Sequence, residues 1–284
     1  MIIRNNIPGI NASRNKGISQ SRMLKSLEKL SSGYRINRAG DDAAGLAISE
    51  LMRNQIRGLN QAMRNTQDGI SMTQTGDGAL TEVHAMLERM KTLAVQSANG
   101  TYTSLARANL DEERVELLDE INRIGATSNF DDIPLFDESD PPAGFTPPEK
   151  SQADPEITLQ IGHTAEETID VHRYYMSDRG LKLDTTNFKT LDDANNSIQY
   201  IEDAIEAVAD IRADFGAVQN HLEHTYSNLS VTSENMTSAE SRIRDTDMAD
   251  EMTTFTKDNI TLQSANSMAA QANAAIETVL DLLR

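Results

Sequence analysis

The sequence has no cysteine and no tryptophan among its 284 residues. The first absence excludes disulfides, thiolate nucleophiles and cysteine-based metal sites, so the chain is indifferent to the redox state of its compartment. The second, with aromatics at only 4%, means that a core has to be built from Leu, Ile, Val, Met and Ala. Twelve methionines suit that need, because unbranched, flexible side chains fill the gaps between packed helices. Long apolar runs are lacking as well. No window approaches the ~18 consecutive apolar residues of a membrane-spanning helix. Arg4, Asn5, Asn6, Asn11, Arg14 and Asn15 break up the opening stretch and leave no apolar core for a cleaved signal peptide. Alone, this predicts a soluble cytoplasmic chain with no membrane insertion, unless export uses a route without cleavage.

Proline is scarce and concentrated. Pro8 stands apart, and Pro134, Pro141, Pro142, Pro147, Pro148 and Pro155 cluster together, so long helices are confined to either side of the cluster. From Ala43 to about Asn99, apolar residues recur at three- and four-residue spacing: Met52, Ile56, Leu59, Met63 and Ile70, then Leu80, Val83, Leu87, Met90 and Ala94. Joining the two sets requires a phase slip near Gly76-Asp77-Gly78 that does not end the helix. Asn99-Gly100-Thr101 is the stop signal. A shorter helix fits Leu105 to Ile124. Residues 157–161 and 168–172 alternate apolar and polar across a turn-like link, which predicts a β-hairpin. A return helix starts near Leu191, with Ile198, Ile201, Ile205, Val208, Ile211, Phe215, Val218, Leu222, Tyr226 and Leu229 in unbroken helical step. A last amphipathic segment, about 247–284, is rich in Ala, Ser, Asn and Gln, small enough for close helix packing.

The expected fold is mainly α: a long antiparallel helical bundle or coiled-coil rod with a small β-hairpin region at the turn-around. Two parts are expected. Residues 1–43 and 236–284 form terminal helices that pair with each other and with neighbouring subunits, and 44–235 forms the helical rod with a β and proline-rich segment at about 130–185. Both ends keep an apolar pattern, at Ile18, Leu24, Leu27 and Leu30 and at Ile276, Val279, Leu280 and Leu283, and ends of that kind call for a partner, most simply another copy of the chain. Charge agrees. The net charge of −18 is uneven: residues 1–64 hold 11 Lys and Arg against 4 Asp and Glu, and residues 191–284 hold 5 against 17. Complementary ends favour pairing within the assembly over nucleic-acid binding.

Catalytic constellations do not assemble. His221 and His224 sit at i and i+3 without a third ligand in sequence, so they read as polar residues flanking Leu222. Asp41-Asp42 and Asp245-Thr246-Asp247 lack calcium-loop spacing and read as helix-start acids, with Thr246 or Asp247 as an N-cap. Gly76-Asp77-Gly78 has neither the preceding strand nor the following Lys-Ser/Thr of a phosphate loop. The five histidines complete no Ser/His/Asp set. No enzyme, metal or cofactor is expected.

Leu30-Ser31-Ser32-Gly33-Tyr34-Arg35-Ile36-Asn37, followed by Asp41-Asp42-Ala43-Ala44-Gly45-Leu46-Ala47-Ile48, closely resembles the N-terminal signature of bacterial flagellins. Further matches are Arg64-Asn65 with Asp68-Gly69-Ile70-Ser71, Leu93-Ala94-Val95-Gln96-Ser97-Ala98-Asn99, Ser241-Arg242-Ile243-Arg244-Asp245-Thr246-Asp247, and Val279-Leu280-Asp281-Leu282-Leu283-Arg284. The resemblance covers roughly 1–130 and 190–284, with no large outer domain between. It implies a structural subunit of the bacterial flagellar filament, exported unfolded by a type III route without a cleaved signal and assembling with its own copies into an extracellular helical tube for motility. A flagellin-like junction protein between hook and filament is the alternative. The implied partners are other copies, an export chaperone, cap and hook-junction proteins, and a host flagellin-sensing Toll-like receptor. The polymerisation-interface candidates are Leu24, Leu27, Leu30, Ile276, Leu280 and Leu283. The receptor-contact candidates carried over by the resemblance are Arg89, Leu93 and Glu113, with Glu88 where the family usually has Gln.

Overall fold

The computed structural model describes residues 6–137, 147 and 157–282, with the side chains of 276–282 set aside. Pro141, Pro142, Pro148 and Pro155 therefore lie outside the described residues, as does Leu283. Among the described residues there are five helices, α1 Ile7–Ser32, α2 Ala43–Ser97, α3 Ser104–Thr127, α4 Leu191–Arg244 and α5 Met248–Leu282. Two antiparallel two-stranded sheets accompany them, β1 Asn129–Phe130 with β2 Ile133–Pro134, and β3 Ile157–Gln160 with β4 Thr168–Val171. The mainly α architecture read from periodicity is the one observed.

Helix ends follow local chemistry. Asn6 accepts the Gly9 amide at 2.9 Å, and Pro8 occupies the first turn, where its missing N–H costs nothing. Gly33 closes α1 at φ 74° with its amide on the Lys29 carbonyl at 2.8 Å, a left-handed cap that side-chain-bearing residues resist. Asp42 starts α2 by accepting from Gly45 N at 2.9 Å, and Asp247 starts α5 by accepting from Ala249 N at 2.8 Å. One acid of each pair, Asp42 and Asp247, is thus a helix-start acid. Asp192 and Asp193 open α4, and Arg242 and Arg244 close it, each sign matching the helix dipole.

The backbone divides into two compact units: residues up to 56 together with those from 234 onward, and residues 57–233. α2 and α4 contribute to both. In the second unit α2 and α4 run antiparallel, as their cross-links show: Ser233 donates to Asn60, Arg212 to Asp77 at 2.8 Å, and Lys91 pairs with Glu202 at 2.9 Å. α3 folds back along α2. The core joins Leu80, Val83, Leu87, Met90 and Leu93 of α2, Ile121 of α3, and Ile201, Val208, Ile211 and Phe215 of α4.

Although aromatics are few, they sit at the centre of this core. The ring of Phe215 lies 6.3 Å from Phe136 and 6.4 Å from Tyr174, and Phe188 is fully buried. A core of aliphatics alone was therefore not the outcome. Gly76 takes part in it, since a Cβ there would meet the Phe215 ring. α2 runs through Gly76-Asp77-Gly78 unbroken, with Asp77 held by Arg212. The β1–β2 hairpin lies outside the sequence expectation, and it turns on Asp131 and Asp132, both at positive φ (51° and 63°).

Candidate assembly surfaces

In the first unit, α1 and α5 pair antiparallel: Asn6 donates to the Ala272 carbonyl at 3.2 Å and to Asn273 at 3.1 Å at one end, and Lys29 meets Glu251 at 3.7 Å towards the other. The covered positions of α5 repeat every seven residues, Glu251, Asp258, Ala265 and Ala272 in one row and Phe255, Leu262 and Ala269 in the next. On α1 they include Ala12, Ser19 and Ser26, with Met23 and Leu30 between. This seam is built mostly from small and polar side chains.

Met23, Leu30, Phe255 and Leu262 are the large apolar side chains in the seam, and others lie outside it. Ile10 is 62% exposed, Leu24 53%, Leu27 50%, Ile260 59% and Met268 64%, and Ile7, Ile18, Met248 and Met252 are exposed too. The pair thus leaves several large apolar side chains exposed on both helices. Of the six polymerisation candidates, Leu24 and Leu27 are exposed and Leu30 is half-buried in the seam. Ile276 and Leu280 are on helical backbone of α5, but their side chains, like Leu283, are outside the described residues.

The breaks between α1 and α2 and between α4 and α5 are clasped to each other. Tyr34 and Asp245 form an antiparallel bridge, Arg35 N donates to Arg244 O at 2.7 Å, and Thr246 N donates to Gly33 O at 3.0 Å. Ile36 is buried beneath. Asp41 closes the first break, and its carboxyl is held below the usual carboxylate range, chiefly by the Arg38 amide it accepts. The two signature segments, which lie more than 200 positions apart in sequence, thus meet in one motif.

On the second unit, Arg89 and Glu113 form an exposed ion pair at 2.7 Å, joining α2 to α3. Glu88 is exposed one residue away and pairs with His84 at 3.5 Å. Leu93 is 0% exposed, and it packs in the core with Leu87 and Met90. This corrects the carried-over reading of Leu93 as a contact. Its position on α2 faces α3 and α4, where an outside partner cannot touch it; Arg89, Glu113 and Glu88 remain at the surface.

Sequence reasoning missed a buried ionic cluster. Asp111 accepts from Arg114 Nε at 2.7 Å and from Phe188 N at 3.2 Å, with Lys189 at 3.6 Å, and Arg114 lies 5.7 Å from the Phe188 ring centroid. Burial pushes the Asp111 carboxyl up, but the hydrogen bond and charge of Arg114, with Phe188 N and Lys189, outweigh it and hold the group below its usual range. The Asp111-x-x-Arg114 spacing was legible, but nothing in it distinguishes a buried pair from a surface one. Among the described residues, no group of three or more His, Asp or Glu side chains is placed to hold a metal ion, and His221 and His224 are exposed on α4. No described helix is long and apolar enough to cross a membrane.

Comparison with known proteins identifies the family. Residues 3–140 match the bacterial flagellin N-terminal helical region, and residues 198–283 match the bacterial flagellin C-terminal helical region. The chain is 47% identical over 286 aligned residues to a flagellin of Halalkalibacterium halodurans and 43% identical over 308 to a flagellin of Bacillus subtilis, with all of each chain covered in both cases. A solved flagellar hook-associated protein of Vibrio parahaemolyticus shares the fold at TM-score 0.57 and 15% identity, over 72% of this chain and 100% of that one.

Proposed function

This chain belongs to the bacterial flagellin family, and from that premise we propose that the α1·α5 pair is the element through which its copies join. The chain is a structural subunit of the bacterial flagellar filament, and it polymerises with copies of itself. The observation that supports our reading of where they join is the exposure of the large apolar side chains Ile10, Leu24, Leu27, Ile260 and Met268 on this pair. Each is half or more exposed, and covering the remainder gains about 1 kcal/mol apiece. In this reading residues 1–43 and 236–284 are the segments that pack against each other and against neighbouring subunits, and 44–235 is the helical rod with its small β-regions.

Export in an unfolded state fits the covalent chemistry. With no cysteine there is no disulfide to reduce before threading, and only non-covalent contacts hold the helices. A chaperone that covers these apolar side chains before export, and cap and hook-junction proteins that receive the chain after, are partners with the right chemistry. The chain acts through these surfaces and carries no catalysis. Recognition by a host Toll-like receptor rests on Arg89, Glu113 and Glu88, with Leu93 supporting them from beneath.

Seeded elongation tests the reading. Purified chain added to sheared filament fragments raises light scattering, and a chain lacking 276–284 does not, while keeping the circular dichroism of the second unit. A chain with intact ends that fails to elongate seeds would overturn the proposal.

A further inference from the structure

We propose that Asn99-Gly100 is a self-modifying site, at which the folded chain converts its own asparagine to aspartate or isoaspartate. The pair lies just past the end of α2, both residues are exposed, and it is the one Asn-Gly step in the sequence. Such a step reacts when the amide nitrogen after the asparagine reaches the side-chain carbonyl carbon, and a glycine leaves that approach open. The Gly100 N–H makes no hydrogen bond among the described residues, so it is available. Other steps with a small second residue lack this freedom. Asp68-Gly69, Asp77-Gly78, Asn196-Ser197 and Asn266-Ser267 lie inside α2, α4 and α5, where the following amide is tied to a carbonyl one turn back.

The surroundings of Asn99 supply what the reaction needs. Thr101 N donates to Asn99 Oδ1 at 3.2 Å, which folds the side chain back over its own following peptide. The same donor faces the oxygen that gains negative charge when the carbonyl carbon is attacked. The main-chain carbonyl of Asn99 accepts from Tyr102 N at 3.3 Å and from Arg107 Nη2 at 3.1 Å, while Arg107 Nε donates to the Ser97 carbonyl at 2.9 Å. A guanidinium on the Asn99 carbonyl stabilises that peptide unit when its nitrogen loses a proton, because the oxygen shares the charge of the amide anion. The step balances with water as the only reagent. Gly100 N passes its proton to solvent and bonds to Asn99 Cγ, the side-chain nitrogen leaves as ammonia, and a succinimide ring remains. Water opens the ring at either carbonyl, giving aspartate or an isoaspartate whose main chain runs through the former side chain. Either product sets a carboxylate at the C-terminal end of α2, where the helix dipole opposes it. Isoaspartate also lengthens the corner that leads to α3.

Peptide mapping of the whole chain tests this. After incubation of the folded chain at mildly alkaline pH, the tryptic peptide 92–107 should gain the mass of an amide-to-acid exchange, with ammonia released, whereas peptides carrying Asn196 and Asn266 stay unchanged. Gly100→Ala, whose added Cβ meets nothing within 4 Å, should lose the gain and keep the fold. Arg107→Ala should slow it about tenfold, as the loss of one charged hydrogen bond implies. Arg107→Gln keeps a donor without the charge, and it gives the same reading if the alanine variant loses its helical circular dichroism. In urea the wild-type chain and the Arg107 variants should convert at one common rate. No gain at Asn99, or a Gly100→Ala chain that converts at the wild-type rate, overturns the proposal. So do equal folded-state rates for wild type and the Arg107 variants, or an Arg107 difference that persists in urea.

Discussion

Arg244 lies over the ring of Tyr34, with its guanidinium carbon 4.9 Å from the ring centroid, and the same guanidinium donates to Glu50 at 2.6 Å. One side chain at the end of α4 thereby ties the break after α1 to the first turns of α2. Removing the ring should loosen the clasp. Tyr34→Ala is expected to cost about 1–2 kcal/mol from the lost cation–π contact, and Tyr34→Phe, which keeps the ring face, should cost far less. Hydrogen exchange of the α1 and α5 amides reads the difference; equal losses from both variants would mean that the ring face is not what holds Arg244.

Gly125 in α3 has no room for a side chain, because a Cβ would run into the Met176 carbonyl oxygen. Gly78 and Gly216, in the interiors of α2 and α4, face open space. Gly125→Ala should therefore destabilise by about 2–3 kcal/mol, an overpacking cost. The same substitution at Gly78 or Gly216 should stabilise by up to about 1 kcal/mol through helix propensity. Urea midpoints of the three variants check the contrast.

The Asp111 cluster predicts an acid-sensitive second unit. Folding holds this carboxyl below its usual range, so as pH falls the unfolded chain takes up its proton first, near pH 4. The stabilisation is present above that range and disappears as pH falls through the folded value. Asp111→Asn should lower stability by about 3 kcal/mol at pH 7 by leaving Arg114 buried and unpaired, and the variant's loss should shrink between pH 5 and pH 2. A deficit unchanged over that window in denaturant titrations would contradict the assignment.

Asp131 and Asp132 occupy the two central positions of the β1–β2 turn, both in the left-handed region. Glycine adopts that backbone without the Cβ penalty, as in type I′ hairpins. Asp132→Gly is expected to raise stability by about 0.5–1 kcal/mol, visible as an upward shift in the thermal midpoint. Asp132→Val should lower it.

Leu24 and Leu27 are half exposed, and on the proposed assembly role they are expected to matter for elongation and little for the fold of one chain. Leu24→Ser with Leu27→Ser should leave the urea midpoint of the second unit unchanged and abolish seeded elongation. A parallel fall in both would place these residues in the folded core instead.

Several elements were readable before any coordinates. Residues at three- and four-residue spacing announced α2, α3 and α4, and alternation announced β3 and β4, because both signals are local and repeat over many residues. Asp42 and Asp247 were legible as helix punctuation for the same reason. β1 and β2 were not, since strands of two residues carry no period. Leu93 was misread because the flagellin signature gives its position in a motif but not the direction its side chain takes on α2. The Asp111 cluster was hidden because Phe188 and Lys189 reach it from 77 and 78 positions away.

The sequence by itself determined the helices, their caps, the all-aliphatic terminal patterns and the family, since each depends on neighbours within a few residues or on identity alone. Only the tertiary structure decided which face of α1 and α5 is covered. A 3.6-residue period marks an apolar and a polar face on each helix, and ordinary packing would bury the apolar ones together. Here the seam takes Ser19, Ser26, Ala265 and Asp258 beside Phe255 and Leu262, and the pair leaves Ile10, Leu24, Leu27 and Ile260 outside. Burial depends on which surface arrives opposite, and the period of one helix does not carry that information.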